Sequence, residues 1–275
     1  MTTRWLLAAC LPALLYAQDP KEIVRRAVKA DLRNDEIARN YTYLQRQEQR
    51  TLDGSGRVKD TKIETWDITL LDGSPYRRLV SRDDKALPAD DERKEEEKLR
   101  KSIDDRKKET ESQRQKRLAE WDKRRQKSRD QYREVANAFN FRMAGEEHMN
   151  GADAWVIEGT PRPGFRASTS EGRALLPKVN CRLWIAKSDY SWVRVEVETL
   201  DTISLAFSMV RLAKGGRIVV DLTRVNDEVW LPKQATVKAG ARILLVKSVR
   251  LEAQFDYRDY KKFQADSSIT YQDPK

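Results

Sequence analysis

The chain has 275 residues, 39% of them apolar, with 54 Lys and Arg against 44 Asp and Glu, one histidine and two cysteines. A single histidine, His148, removes nearly all His-based metal sites and catalytic triads. The basic excess calls for an anionic partner, but no motif or aromatic platform of a nucleic-acid binder accompanies it, which points away from nucleic acid.

Residues 1–17 open with Arg4 in a short polar head, continue with an apolar run from Trp5 to Tyr16, and end at Ala17 before Gln18-Asp19-Pro20. That layout predicts a secretory signal peptide cleaved after Ala17, too short for a membrane span. An alternative takes Leu7-Ala8-Ala9-Cys10 as a lipobox, with Cys10 acylated to give an outer-membrane lipoprotein. In either case the mature chain is exported to the periplasm. Cleavage after Ala17 leaves Cys181 as the only thiol, without an intrachain disulfide partner.

Asp19 as cap and Pro20 in the first turn predict a helix start, and Ile23, Val24, Ala27, Val28 and Leu32 recur at helical spacing as one apolar stripe. Strand patterns follow around Tyr41-Thr42-Tyr43-Leu44, residues 62–70 and residues 75–80, with Asp53-Gly54-Ser55-Gly56 as a hairpin loop. Residues 18–88 therefore form one helix and the first strands.

Residues 89–135 are dominated by charge, carry no Gly or Pro, and offer acid-to-base pairs four residues apart, such as Glu96 with Arg100. They predict a long solvated helical insertion, with a break near Thr110-Glu111-Ser112. Unbroken, about 45 residues would reach roughly 65 Å. The large apolar residues Leu99, Ile103, Leu118, Trp121 and Tyr132 do not sustain a coiled-coil heptad. The functional reading is a projecting arm for an envelope protein or an anionic membrane surface; a purely solvated helix is the bland one.

From residue 136 to 275 the pattern returns to strands. Asn150-Gly151 marks a hairpin, and Thr160-Pro161-Arg162-Pro163-Gly164 a loop. Val193, Val195 and Val197 alternate with polar residues. The segment 203–211 is read as one strand with Ile203, Leu205, Phe207 and Met209 on one face. A turn at Gly240 precedes a last strand whose face carries Ile243, Leu245, Val249, Leu251, Phe255 and Tyr257. Such a repeated apolar face needs a cover. Either the sheet interior is filled by the chain, or an apolar cavity remains for a ligand such as an acyl chain.

Gly151-x3-Trp155-x-Ile157, Leu183-Trp184-Ile185 before Lys187-Ser188-Asp189, Val229-Trp230-Leu231-Pro232 and Tyr257-x2-Tyr260-x2-Phe263 together resemble the LolA/LolB superfamily of periplasmic lipoprotein carriers. The resemblance spans residues 139–263. It implies an α+β fold, a strongly curved, unclosed antiparallel half-barrel on an N-terminal helix, with a hydrophobic cavity for acyl chains and no chemistry. The charged insertion departs from that pattern.

The sequence also shows no phosphate-cradling glycine motif, no G-x-S-x-G and no metal-spaced His/Cys set, so neither catalysis nor a cofactor is expected. The reading is a carrier or binder of lipid acyl chains or lipoproteins, its cavity lined by Val193, Val195, Val197, Ile203, Leu205, Phe207, Ile243, Leu245, Val249, Leu251 and Phe255. The alternative is an envelope scaffold or regulatory interaction protein with a filled sheet, acting through its charged helix.

Overall fold

A computed structural model describes residues 18–205, 210–243 and 247–263, with side chains described except at 205, 210–211, 241–243 and 247–249. The leader, with Cys10 and the Ala17 cleavage site, lies outside the described residues, as do Phe207 and Leu245.

The first helix, α1 (Pro20–Ala38), starts where its cap chemistry requires: the Asp19 carboxylate accepts from the Lys21 N–H at 3.0 Å, and Pro20 occupies a position whose N–H needs no partner. Its stripe of Ile23, Val24, Ala27 and Val28 is buried. The strands β1 (Tyr41–Leu52), β2 (Val58–Leu71), β3 (Ser74–Arg82) and the short β4 (Lys85–Ala86) form a meander. Asp72 and Gly73 both take positive φ, the geometry a two-residue turn between β2 and β3 demands.

The charged insertion is two helices, α2 (Ala89–Lys107) and α3 (Glu111–Ala138). The break falls before α3, where Thr110 and Gln113 form a capping box that satisfies two otherwise orphaned N–H groups. The expected projecting arm is not what the chain makes. Helix α2 lies on β3, where Arg82 pairs with Asp91 at 3.2 Å and the Arg106 guanidinium donates to the Leu71 carbonyl. Helix α3 runs back across the molecule and packs on α1. Arg125 and Arg129 both reach Asp35, at 2.6 and 2.9 Å, and Arg129 also pairs with Glu36. Charge that sequence reading assigns to solvent is used in these cross-links.

The remaining strands are β5 (Phe139–Met149), β6 (Ala152–Pro161), β7 (Val179–Ala186), β8 (Trp192–Thr199), β9 (Ile203–Leu205), β10 (Val210–Leu212), β11 (Arg217–Val225), β12 (Val229–Ile243) and β13 (Lys247–Lys262). The short α4 (Ser170–Leu175) and a single 3-10 turn precede β7. One antiparallel sheet runs in the order β4-β3-β2-β1-β13-β12-β11-β8-β7-β6-β5, and the β9–β10 hairpin attaches to β12. Among the described residues its two ends do not pair, so the fold is α+β with an unclosed half-barrel packed on helices.

Two readings of the strands need correction. Residues 203–211 are not one strand: Leu205 pairs with Val210, so the segment turns back on itself as a hairpin whose tip lies outside the described residues. Of the residues expected to share that face, Ile203 and Leu205 fall on β9, while Phe207 and Met209 lie outside the described residues. Nor is Gly240 a turn. It sits within β12, where its carbonyl accepts from the Ala213 N–H at 2.7 Å and a Cβ would come 3.3 Å from Ala213. The glycine permits close backbone approach instead. Ile243 therefore ends β12, opposite Lys247, and does not share a strand with Leu251 and Phe255.

The main core joins α1 to the face of β5–β8. Ile23, Val24, Ala27, Phe139, Ile157, Leu183, Ile185 and Trp192 form it. On the opposite face Ala154, Val156, Trp184, Ala186 and Val193 make a second cluster with Trp230. That opposite face also carries a ladder of ion pairs, in which Glu158 holds both Arg142 and Arg182.

Candidate functional site: an apolar cavity between the sheet and two helices

Helix α1 packs on β5, β7 and β12, and it leaves part of the sheet's apolar face uncovered. The result is a partly open cavity of about 1380 Å³, larger than the roughly 300–1,000 Å³ of ordinary small-molecule pockets. Its floor is the sheet, with Ile68 and Leu70 from β2, Cys181 and Leu183 from β7, Val195 and Val197 from β8, and Val220 and Leu222 from β11. Leu32 of α1 and Leu118, Trp121, Tyr132 and Val135 of α3 face it, and Leu175 and Leu176 close one side. The charged insertion thus supplies one wall.

Aromatic side chains gather at one end. Tyr43 lies 5.4 Å from Tyr260 and 5.8 Å from Tyr257, ring centre to ring centre, and Tyr41 meets the edge of Tyr260 at 6.4 Å. The Tyr260 hydroxyl donates to the Pro232 carbonyl at 2.5 Å, and burial pushes its phenol above the ordinary range. These rings present faces and stay neutral, suiting contact with hydrocarbon. Tyr132 of α3 lines the hollow and is 49% exposed, and its phenol pKa is raised, by desolvation first and by Asp31 and Asp35 after it.

Helix α1 is fixed over the cavity by an unusual pair of bonds. The Asn34 side chain donates to the Trp230 carbonyl and accepts from the Trp230 N–H, both at 2.7 Å. At this point β12 has not yet met β13, whose pairing begins at Gln234. Asn34 stands in for the missing strand and satisfies both backbone groups.

Polar groups on the cavity wall are concentrated between α1 and α3: Asp31, Asp35, Arg39, Asp122, Arg125 and Arg129. The Asp31 carboxyl is pushed up to about 6, by burial first and by Asp35 one helical turn away second. Cys181 also lines the cavity, but burial raises its thiol to about 12, so it carries no thiolate at neutral pH. Among the described residues no three His, Cys, Asp or Glu side chains converge as metal ligands. No described helix is long and apolar enough to cross a membrane.

No family model matches the chain, and no curated protein matches it. Likeness is confined to solved structures. One is an outer membrane lipoprotein-sorting protein domain from Vibrio parahaemolyticus, at TM-score 0.36 and 11% identity, covering 90% of this chain and 95% of that one. A DUF1329 family protein from Desulfovibrio piger gives 0.33 and 12%, covering 92% and 97%. MucB in complex with MucA(peri) gives 0.25 and 10%, covering 90% and 100%. Likenesses this distant carry no functional weight; the shape and lining of the chain's own cavity do.

The residues assigned to the cavity from sequence fall in several places. Val195 and Val197 line it. Val193 does not. A β-bulge opposes Trp192 to Ile185 and Arg194 to Trp184, leaving Val193 as the extra residue, and so turns it into the second cluster on the other face. Ile203 is fully buried in the main core. Phe255 pairs with Ala235, Ala235 with Val220 and Val220 with Val195, which places Phe255, and Leu251 by the same parity, on the cavity side of the sheet but beyond the lining. The side chains of Leu205, Ile243 and Val249, like Phe207 and Leu245, lie outside the described residues.

The α3 wall, Asn34 and the tyrosine cluster are what sequence reasoning missed as site residues. In α3 a signal exists: Leu118, Trp121, Arg125, Arg129 and Tyr132 recur every three or four residues, provided the arginines count for their apolar stems. For Asn34 the only trace is a poor helix former in mid-helix.

Proposed function

We propose that this protein is an exported, non-catalytic carrier or binder of lipid or lipidated protein, whose hydrocarbon chain occupies the cavity between the half-barrel and helices α1 and α3. The observation that carries the reading is an apolar hollow of about 1380 Å³ that stays open beside the main core, with which it shares Cys181, Leu183 and Trp192. Apolar surface left open to water is unfavourable by roughly 25 cal/mol per Å², so such a hollow is retained where a guest covers it. Its walls offer hydrophobic contact, through Val195, Val197, Leu183, Val220, Leu118 and Trp121, and neutral aromatic faces. Export to the periplasm is part of the same proposal and rests on the leader pattern of residues 1–17.

The charged helices serve the cavity in this reading. With α3 as a wall, its outer face, where Lys116, Lys123, Arg124 and Lys127 are exposed, is the place where an anionic membrane surface would be met during loading. The experiment is displacement of a hydrophobic fluorophore such as 1-aminoanthracene. The protein should bind one equivalent saturably, long-chain acyl lipids should compete, and Val195→Trp with Val197→Trp should abolish binding without unfolding. A folded wild-type protein that never takes up the probe would end the proposal.

A further inference from the structure

The chain as a whole is basic, but the unpaired charge on the cavity wall has the opposite sign. Each lining arginine is already engaged: Arg125 by Asp35 at 2.6 Å, Arg129 by Asp35 at 2.9 Å and by Glu36, and Arg39 by Glu36. Asp31 lines the cavity one turn before Asp35 and, among the described residues, has neither a cation within ion-pair distance nor a hydrogen-bond donor. Tyr132 faces it from α3. The solvent-exposed Asp122 adds a second unpaired carboxylate to the same wall. Asp31 is half-buried, and a carboxylate held without a partner at the edge of an apolar hollow is disfavoured, a cost that a ligand able to donate to it relieves. A ligand bearing its own carboxylate or phosphate at this point would add like-charge repulsion at low dielectric.

We propose that Asp31 reads the polar end of the cargo and selects amphiphiles whose head is an ammonium group over those ending in a free carboxylate. This rests on the carrier reading, since it names the class of guest for the same cavity. The raised carboxyl of Asp31 agrees with it: the group is held in an environment that disfavours its charge until a positive or donating partner arrives. The titratable groups that interact with it are Asp35 from its own helix and Tyr132 from α3, while Arg125 and Arg129 line the same cavity. The arginines are spent on Asp35 and Glu36, so they do not neutralise it.

The test compares three probes of one chain length, dodecylamine, dodecanol and dodecanoate, by displacement of 1-aminoanthracene at pH 7.5. Wild-type protein should bind the amine at least about 10-fold more tightly than the carboxylate, the scale of one charge-assisted hydrogen bond. Asp31→Asn should bring the two within about threefold of each other. If wild type binds amine and carboxylate alike, or if the gap persists in Asp31→Asn, the head-group proposal is overturned while alcohol binding keeps the carrier reading intact. Should none of the three displace the fluorophore, the carrier reading falls and this one falls with it.

Discussion

Asp31 is also where the fold gives up stability to keep the site polar, and this can be measured without any ligand. Its carboxyl rises from an ordinary 3.8 to about 6 in the folded protein, through burial and the neighbouring Asp35. The folded-state value lies above the unfolded one, so the protonated form is favoured by folding. The contribution of Asp31 is then fully present below about pH 4 and is lost as pH rises through about 6. The rise, at about 1.4 kcal/mol for each pH unit, amounts to at most about 3 kcal/mol above pH 7. Asparagine keeps the shape and removes the ionisation. Urea unfolding of wild type and Asp31→Asn across pH 4 to 8 should show equal stability near pH 4 and a growing advantage for the variant, up to about 3 kcal/mol at pH 7.5. Subtracting the two curves cancels every other titrating group. A constant difference across that range, or a variant that loses stability as pH rises, would refute the assignment of Asp31 as an unpaired acid in a desolvated setting.

Other substitutions test the frame of the cavity. Asn34→Ala removes both bonds to the Trp230 backbone and should cost about 1–3 kcal/mol in chemical denaturation, with faster proteolysis near α1. Gly159→Ala would place a Cβ 2.6 Å from the Cys181 sulfur and 2.9 Å from the Phe141 ring, and should lower stability by about 1–3 kcal/mol. Ile157→Ala in the fully packed core should cost about 2–5 kcal/mol, whereas Val195→Ala on the cavity wall should cost less than about 1 kcal/mol, because its neighbours already leave space. A thiol reagent such as dithionitrobenzoate should label Cys181 only on unfolding; rapid labelling of the native protein at pH 8 would contradict its burial.

Strand periodicity, the Asn150-Gly151 turn and the Asp19-Pro20 helix start were legible because each is a local signal with a local cause. The half-barrel class followed from the number of alternating strands and from the motif order they carry. What was not legible arises where one residue shifts a pattern: the bulge at Val193 sends it to the far face while Val195 and Val197 keep theirs, and alternation alone cannot reveal an extra residue. The hairpin within 203–211 escaped for a similar reason, since no Gly or Pro marks its tip. The insertion was misjudged because Arg125 and Arg129 are counted as solvent-seeking by type, although their stems lie along the α3 wall and their heads end on Asp35. A helix that looks charged all round can still have a buried side when partner acids wait on the neighbouring element.

The most direct measurement is native mass spectrometry of the protein purified from its own cell envelope, followed by organic extraction of whatever leaves with it. A one-to-one adduct whose mass contains a long hydrocarbon chain, absent from the Val195→Trp/Val197→Trp variant, is the predicted result. Bare protein of the mature mass, folded and unable to take up added acyl lipid, would contradict the account.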